Sequence, residues 1–216
     1  MFDGPGQPGC LRADPTATFR PDYEAPLAAV VDALVDHPAV DGSRVALAGL
    51  GFGAYFAARA AAADPRVAAL VVDPPVVDLG RYFEAWVGAD VFNMRRDVRP
   101  ADVIGVPEDL MPRQMQWGIA AICRRFGVPS FHAWRRALGD YRVADLTAIG
   151  CPTLAVVGER EGVEPRRQFD AFVAGVSGPV TPTVLGEVDG VSAHGQADNL
   201  PVSAQVIYDW LDELPT

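Results

Sequence analysis

Apolar positions along this chain alternate between two rhythms. From Asp22 to roughly Asp36, the residues Leu27, Val30, Val31, Leu34 and Val35 return at helical spacing. Pro38 and the Asp41-Gly42 pair then stop the helix and turn the chain. Val45 to Ala48 is a short apolar run bounded by glycines, the pattern of a strand buried on both faces. The stretch from Gly53 to Ala63 is nearly all alanine with Tyr55 and Phe56, which predicts a compact helix able to pack closely on a sheet. Asp64-Pro65 ends it, and Val67 to Val72 predicts a second buried strand. Thr153 to Val157 predicts a third, followed by a helix through Phe169, Phe172 and Val173. A fourth, Thr183 to Leu185, precedes a loop and a last helix, Val202 to Leu211. Strands alternating with helices predict an α/β fold, a mostly parallel sheet with helices on both faces.

Two segments break the rhythm. Residues 3–21 are rich in Gly and Pro and read as a loop. Residues 79–146 contain helical stretches but no convincing strand, with Trp86, Met94, Met111, Met115, Trp117, Phe126, Phe131 and Trp134 among them. This predicts a helical cap inserted into a core made of residues 1–78 and 147–216. Most of those large side chains read as the cap's own core. Trp117, Met115 and His132 are the candidates to line a substrate pocket, since ligand sites are mostly apolar and aromatic.

Composition changes this picture little. The 216 residues suffice for one substantial core. The formal charge of −10, from 28 acidic and 18 basic residues, argues against nucleic acid or an anionic membrane as partner. No apolar run has the length of a membrane span, and no basic-then-apolar leader opens the chain, so a cytoplasmic location is expected. Cys10, Cys123 and Cys151 are scattered, which predicts neither a disulfide framework nor a zinc site.

Candidate chemistry begins at Gly49-Leu50-Gly51-Phe52-Gly53, between the first strand and the alanine-rich helix. Strand, Gly-x-Ser-x-Gly, helix is the nucleophile elbow of α/β-hydrolases, a turn sharp enough to strain the nucleophile's backbone. Here Gly51 stands at the nucleophile position. Glycine takes positive φ without steric cost, so the fold should survive, but no atom remains there to form an acyl-enzyme. Taken alone, the motif reads equally well as an ordinary glycine-rich turn. The order nucleophile, acid, histidine supports the hydrolase reading. Glu161 lies just past the third strand, where the orienting acid is expected; Glu159 and Glu164 are alternatives for that role. His194 falls in the loop between the last strand and last helix, where the general base belongs. His37 precedes Pro38 and reads as surface. Ser43, Ser130, Ser177, Ser192 and Ser203 all lie away from the elbow, so hydrolysis from another serine is not expected.

Several segments carry a family likeness. Asp3-Gly4-Pro5-Gly6-Gln7, Arg20-Pro21-Asp22-Tyr23-Glu24, Val40-Asp41, Ala58-Arg59-Ala60-Ala61-Ala62, Ala193-His194-x-Gln196, Asn199 and Asp209-Trp210-Leu211 resemble one group of α/β-hydrolases. It is the group of 2,6-dihydroxypseudooxynicotine hydrolase and the fungal enzymes that shorten a heptaketide naphthopyrone in pigment synthesis. The likeness spans nearly the whole chain and is weak in the cap. It implies an α/β-hydrolase fold with a helical cap and a Ser-His-acid triad. Members cleave carbon–carbon or ester-type bonds of small aromatic or polyketide substrates without a cofactor or metal.

The chain departs from the group in two ways. Gly51 replaces the serine, while Glu161 and His194 map onto acid and base. In relatives, the Asp-Gly-Pro-Gly-Gln loop follows several strands, which are expected to be missing here together with one oxyanion-hole N–H. The other donor would be the N–H of Phe52. An edge left open in this way predicts association, with a second copy or with a partner chain that supplies the strands. Two functions follow from these departures. One is a non-covalent enzyme of secondary metabolism (hydrolase, lyase or cyclase) with His194 and Glu161 as its general-base pair. The other is an inactive pseudoenzyme or truncated homologue acting as a binding or scaffold protein.

Overall fold

The computed structural model describes residues 2–93 and 117–215, together with Leu110 and Arg113. The chain divides into two compact units, Met1–Pro21 with Leu79–Tyr141 and Asp22–Asp78 with Arg142–Thr216.

The second unit carries a four-stranded parallel sheet in the order β1 (Ala46–Leu50), β2 (Ala69–Asp73), β3 (Thr153–Gly158) and β4 (Val180–Leu185). The register places Leu50 beside Asp73 and Gly158 beside Leu185, so the carboxyl ends of neighbouring strands finish together in pairs. Every residue of β2 and β3 is buried. The continuous apolar runs in the sequence reflect that burial on both faces. Val71, Leu154, Val156 and Leu185 join Val191 in one cluster. Val202, Val206, Ile207, Trp210 and Leu211 of helix α9 (Leu200–Asp212) pack against it. Fully burying a valine or leucine side chain, as in the strand residues of this cluster, contributes roughly 1.5–3 kcal/mol.

The helix α2 (Glu24–Val35) packs on α3 (Phe52–Ala63), which lies against β1 and β2. Alanine along α3 lets its backbone approach the sheet, while Phe56 stacks on Tyr23 at 3.5 Å between ring centroids. Arg59 of α3 holds Glu24 of α2 through two hydrogen bonds of 2.5 and 2.6 Å. Helix α8 (Val163–Gly175) packs against β3.

Three expectations are corrected here. β1 is not buried on both faces: it alternates, with Leu47 and Gly49 buried and Leu50 54 % exposed. It sits at the end of the strand order, and among the described residues β2 is its one neighbour in the sheet. β4 starts at Val180, ahead of the expected Thr183; Pro182 disguises it, and a proline is tolerated in the outermost strand. Residues 3–21 are not all loop. Pro8–Ala13 forms a short helix, α1, with proline in its first turn, where a missing N–H costs nothing.

That N-terminal segment also groups with the helical unit and not with the sheet. The Phe19 N–H donates to the Arg125 carbonyl (2.7 Å), Arg125 Nε donates to the Gly6 carbonyl (3.0 Å), and the Phe19 and Phe126 rings lie 5.0 Å apart. The helical unit contains α4 (Leu79–Val87), α5 (Ala89–Phe92), α6 (Gly118–Phe126) and α7 (Phe131–Ala137). Its centre is Trp134, fully buried among Phe83, Phe92, Phe126 and Phe131 at 5.0–6.3 Å between centroids. Most of its aromatic residues therefore build its own core.

Candidate active site

β1 ends at Leu50 and α3 begins at Phe52, so the chain turns from strand to helix within one residue. Gly51 does this at φ 54° and ψ −120°, a conformation costly for any residue with a Cβ. Its N–H donates to the Asp73 carbonyl at 2.6 Å, which ties the turn to the end of β2. Gly49 is where strand and helix come closest. A Cβ added there would overlap the Gly53 carbonyl oxygen and lie 2.6 Å from Ala54 Cα. Phe52 opens α3, and the first-turn N–H groups of a helix are not consumed by its own ladder.

The acid comes from the turn after β3. Glu161 has only 2 % of its side chain exposed. Its Oε1 accepts the Gly195 N–H at 3.0 Å, and its Oε2 lies 2.7 Å from His194 Nδ1. The histidine loop is braced separately. Asp198 accepts the N–H groups of Ser192 (2.9 Å) and Ala193 (3.2 Å), and Arg160 N–H donates to the Ser192 carbonyl (3.1 Å). With a proton on Nδ1 donated to Glu161, Nε2 is the imidazole's acceptor. That nitrogen faces the elbow: a Cβ added to Gly51 would sit 3.7 Å from Nε2, and among the described residues, its chain neighbours aside, it meets only His194 within 4 Å.

The hydrogen bond to Glu161, opposed by partial burial and helped by the charges of Glu161 and Asp73, holds the His194 pKa above its ordinary 6.5. A raised histidine pKa adds stability that is complete below about pH 6.5 and lost as pH rises through the folded-state value. Glu161→Gln is therefore expected to remove that acid-side gain. Denaturation midpoints near pH 5.5 and pH 8.5 should then converge relative to wild type, and an unchanged difference would refute the coupling.

The other candidates separate cleanly. Glu159 lies near the Glu187 N–H (3.4 Å), and Glu164 is engaged by Arg167 and Gln168, so neither is the partner of His194. His37 is exposed. The hydroxyls of Ser43, Ser130 and Ser203 are engaged in local hydrogen bonds, and that of Ser177 donates to the Ile149 carbonyl at 3.1 Å. Trp117 (64 % exposed) and His132, which contacts Arg135 at 3.1 Å, belong to the helical unit. Met115 lies outside the described residues. Among those residues, no cluster of metal-ligating side chains occurs and no helix is long and apolar enough to cross a membrane.

Two further residues join the site. Asp73 closes β2 and Gln196 follows His194 by two positions; both are fully buried. Asp73 was legible as a charge ending an otherwise apolar strand. Gln196 had no signal beyond its place in the His194-x-Gln196 segment.

A parallel sheet with a strand–glycine elbow–helix, a carboxylate after the third strand and a histidine after the fourth is the arrangement of the α/β-hydrolase fold, and this chain has that fold. No protein-family model matches the chain. It is 33 % identical over 193 residues to the hydrolyase poxO of Penicillium oxalicum, covering 79 % of this chain and 45 % of that protein. It is 38 % identical over 172 residues to the alpha/beta hydrolase psoB of Aspergillus fumigatus, covering 71 % and 38 %. The crystal structure of 2,6-dihydroxy-pseudo-oxynicotine hydrolase superposes with a TM-score of 0.69 at 22 % identity, over 98 % of this chain and 50 % of that one. The chain thus spans about half the length of these relatives.

Proposed function

We propose that this chain acts on small aromatic or polyketide-like molecules of secondary metabolism by general acid–base catalysis, with no covalent intermediate. His194 Nε2 takes a proton from water or from an acidic substrate carbon, Glu161 stabilises the imidazolium, and the proton returns to the leaving carbon or oxygen. The Phe52 N–H serves the developing oxyanion. The observation that carries this reading is the 2.7 Å contact between His194 and Glu161, with Nε2 aimed at an elbow that retains its turn without a nucleophile. The likeness to fungal hydrolases supports the hydrolase lineage of this site.

A base must be unprotonated to act, so turnover should rise with pH through a midpoint above 6.5, the ordinary histidine value. Across a panel of aryl esters and aromatic β-diketones, His194→Ala is expected to lower kcat/KM by about 100-fold or more. Equal turnover by the variant would overturn the proposal.

A second reading, a binding or scaffold domain, is favoured by β1, whose exposed Leu50 and one-sided burial suit an interface. Under it, panel members bind to wild type and His194→Ala with equal Kd, and neither turns them over.

A further inference from the structure

The polar groups of the site extend beyond the His194–Glu161 pair. Asp73 ends the buried run Ala-Leu-Val-Val-Asp, level with Leu50 of the neighbouring strand and bonded through its carbonyl to the Gly51 N–H. Its side chain is fully buried, and neither carboxyl oxygen has a hydrogen-bond partner. Gln196 is equally buried, and both ends of its amide also lack a well-aligned partner. Its backbone takes φ 48°, in the left-handed region that residues with a Cβ rarely adopt. The amide faces Asp73 closely enough to favour the ionised carboxyl, without the alignment of a formed hydrogen bond.

Each of these features is unfavourable alone. An unpaired buried amide or carboxyl forfeits its hydration without compensation, and a left-handed non-glycine residue is sterically strained. A position with only a packing role would be served better by an apolar residue. Instead the three features converge on one spot, between the glycine of the elbow and the histidine loop. Such concentrations of unsatisfied polar groups and strain belong to working sites.

We propose that Asp73, set by Gln196, is a positioning residue of this site: a second acid, beside Glu161, whose ionisation governs the charge on His194. This rests on His194 being the working base. Burial, aided by the Glu161 charge and opposed by Gln196 and His194, pushes the Asp73 carboxyl up to about 6. The influence is mutual, since the Asp73 charge raises the His194 pKa. Glu161, from the turn after β3, and Asp73, from the end of β2, are the charged groups that act on the imidazole among the described residues. Below about pH 6 Asp73 is neutral and Glu161 alone orients the ring. Above it, two carboxylate charges act on one imidazolium, which then holds its proton to higher pH and is the stronger base once neutral.

The test is an NMR titration of the full chain, with His194 assigned through His194→Ala. In Asp73→Asn, the His194 midpoint is expected to fall by about 0.5 pH unit or more, a threefold change in proton affinity. In wild type, the carboxyl carbon of Asp73 should titrate near 6. Asp64→Asn, which removes an ion pair with Arg66, serves as control and should leave His194 unmoved. A folded Asp73→Asn with the wild-type His194 midpoint would overturn the proposal. So would an Asp73 carboxyl titrating near 4, a measurement that needs no variant to fold. Neither readout depends on turnover. A moved midpoint in a chain inert toward every substrate sinks general-base catalysis and leaves this proposal standing.

Discussion

Gly51→Ser is expected to convert a chain inert to fluorophosphonate into one that is labelled covalently. A Cβ at this position would lie 3.7 Å from His194 Nε2 and, among the described residues beyond its chain neighbours, meet no residue but His194 within 4 Å. One further bond brings a serine Oγ within hydrogen-bonding reach of Nε2, whose ring is already oriented by Glu161 at 2.7 Å. The cost is backbone strain at φ 54°, about 1–3 kcal/mol for a residue with a side chain. That strain should lower the denaturation midpoint modestly without unfolding the chain. Adding His194→Ala to Gly51→Ser should cut the labelling rate about 1,000-fold or more, because the serine then has no base. Labelling of the wild-type chain, which has no side chain at the elbow, would mean that another residue is the nucleophile. Failure of Gly51→Ser to label would mean that the geometry around Nε2 is not that of a triad.

Gly49→Ala, two residues earlier, is expected to have the opposite character: no gain of chemistry and a large loss of stability. The added Cβ meets backbone, the Gly53 carbonyl and Ala54 Cα, and backbone cannot swing aside as a side chain can. The β1–α3 junction would have to open, at a cost of about 3 kcal/mol. Against the 5–15 kcal/mol typical of a domain, that multiplies the unfolded fraction roughly a hundredfold. Gly53→Ala provides the contrast. A Cβ there has no neighbour within 4 Å and the residue is inside α3, so alanine should add up to about 1 kcal/mol. Urea midpoints of the three proteins check this directly. Equal midpoints for wild type and Gly49→Ala would show that the strand and helix are not clamped as described.

The fold was largely legible because its central strands obey a simple rule. β2 and β3 are buried on both faces, so their sequences are unbroken apolar runs that periodicity detects. The misreadings occurred where local pattern and environment part. Val45 to Ala48 has the same apolar composition as a central strand, yet β1 ends the strand order of the described residues and alternates in burial. Pro182 masked the start of β4, and the glycines and prolines around Pro8–Ala13 masked a helix whose first turn accommodates proline. The attachment of residues 3–21 to the helical unit depends on Arg125, more than a hundred positions away, which no window of sequence can see.

Of the candidate site, sequence alone determined the frame: a glycine elbow between strand and helix, an acidic turn after the third strand and a histidine before the last helix. These are local features, written in glycine spacing and apolar periodicity. Tertiary structure decided what is distance. It chose Glu161 over Glu159 and Glu164, because only that carboxylate reaches Nδ1 of His194. It aimed Nε2 at Gly51, and it paired Asp73 with Gln196, separated by more than a hundred residues, as buried polar neighbours, with the Asp73 charge reaching His194. Charge and hydrogen-bond coupling falls steeply with separation in space and is indifferent to separation along the chain. That is why the residue types could be read in order, while their partnership appeared only once the chain was folded.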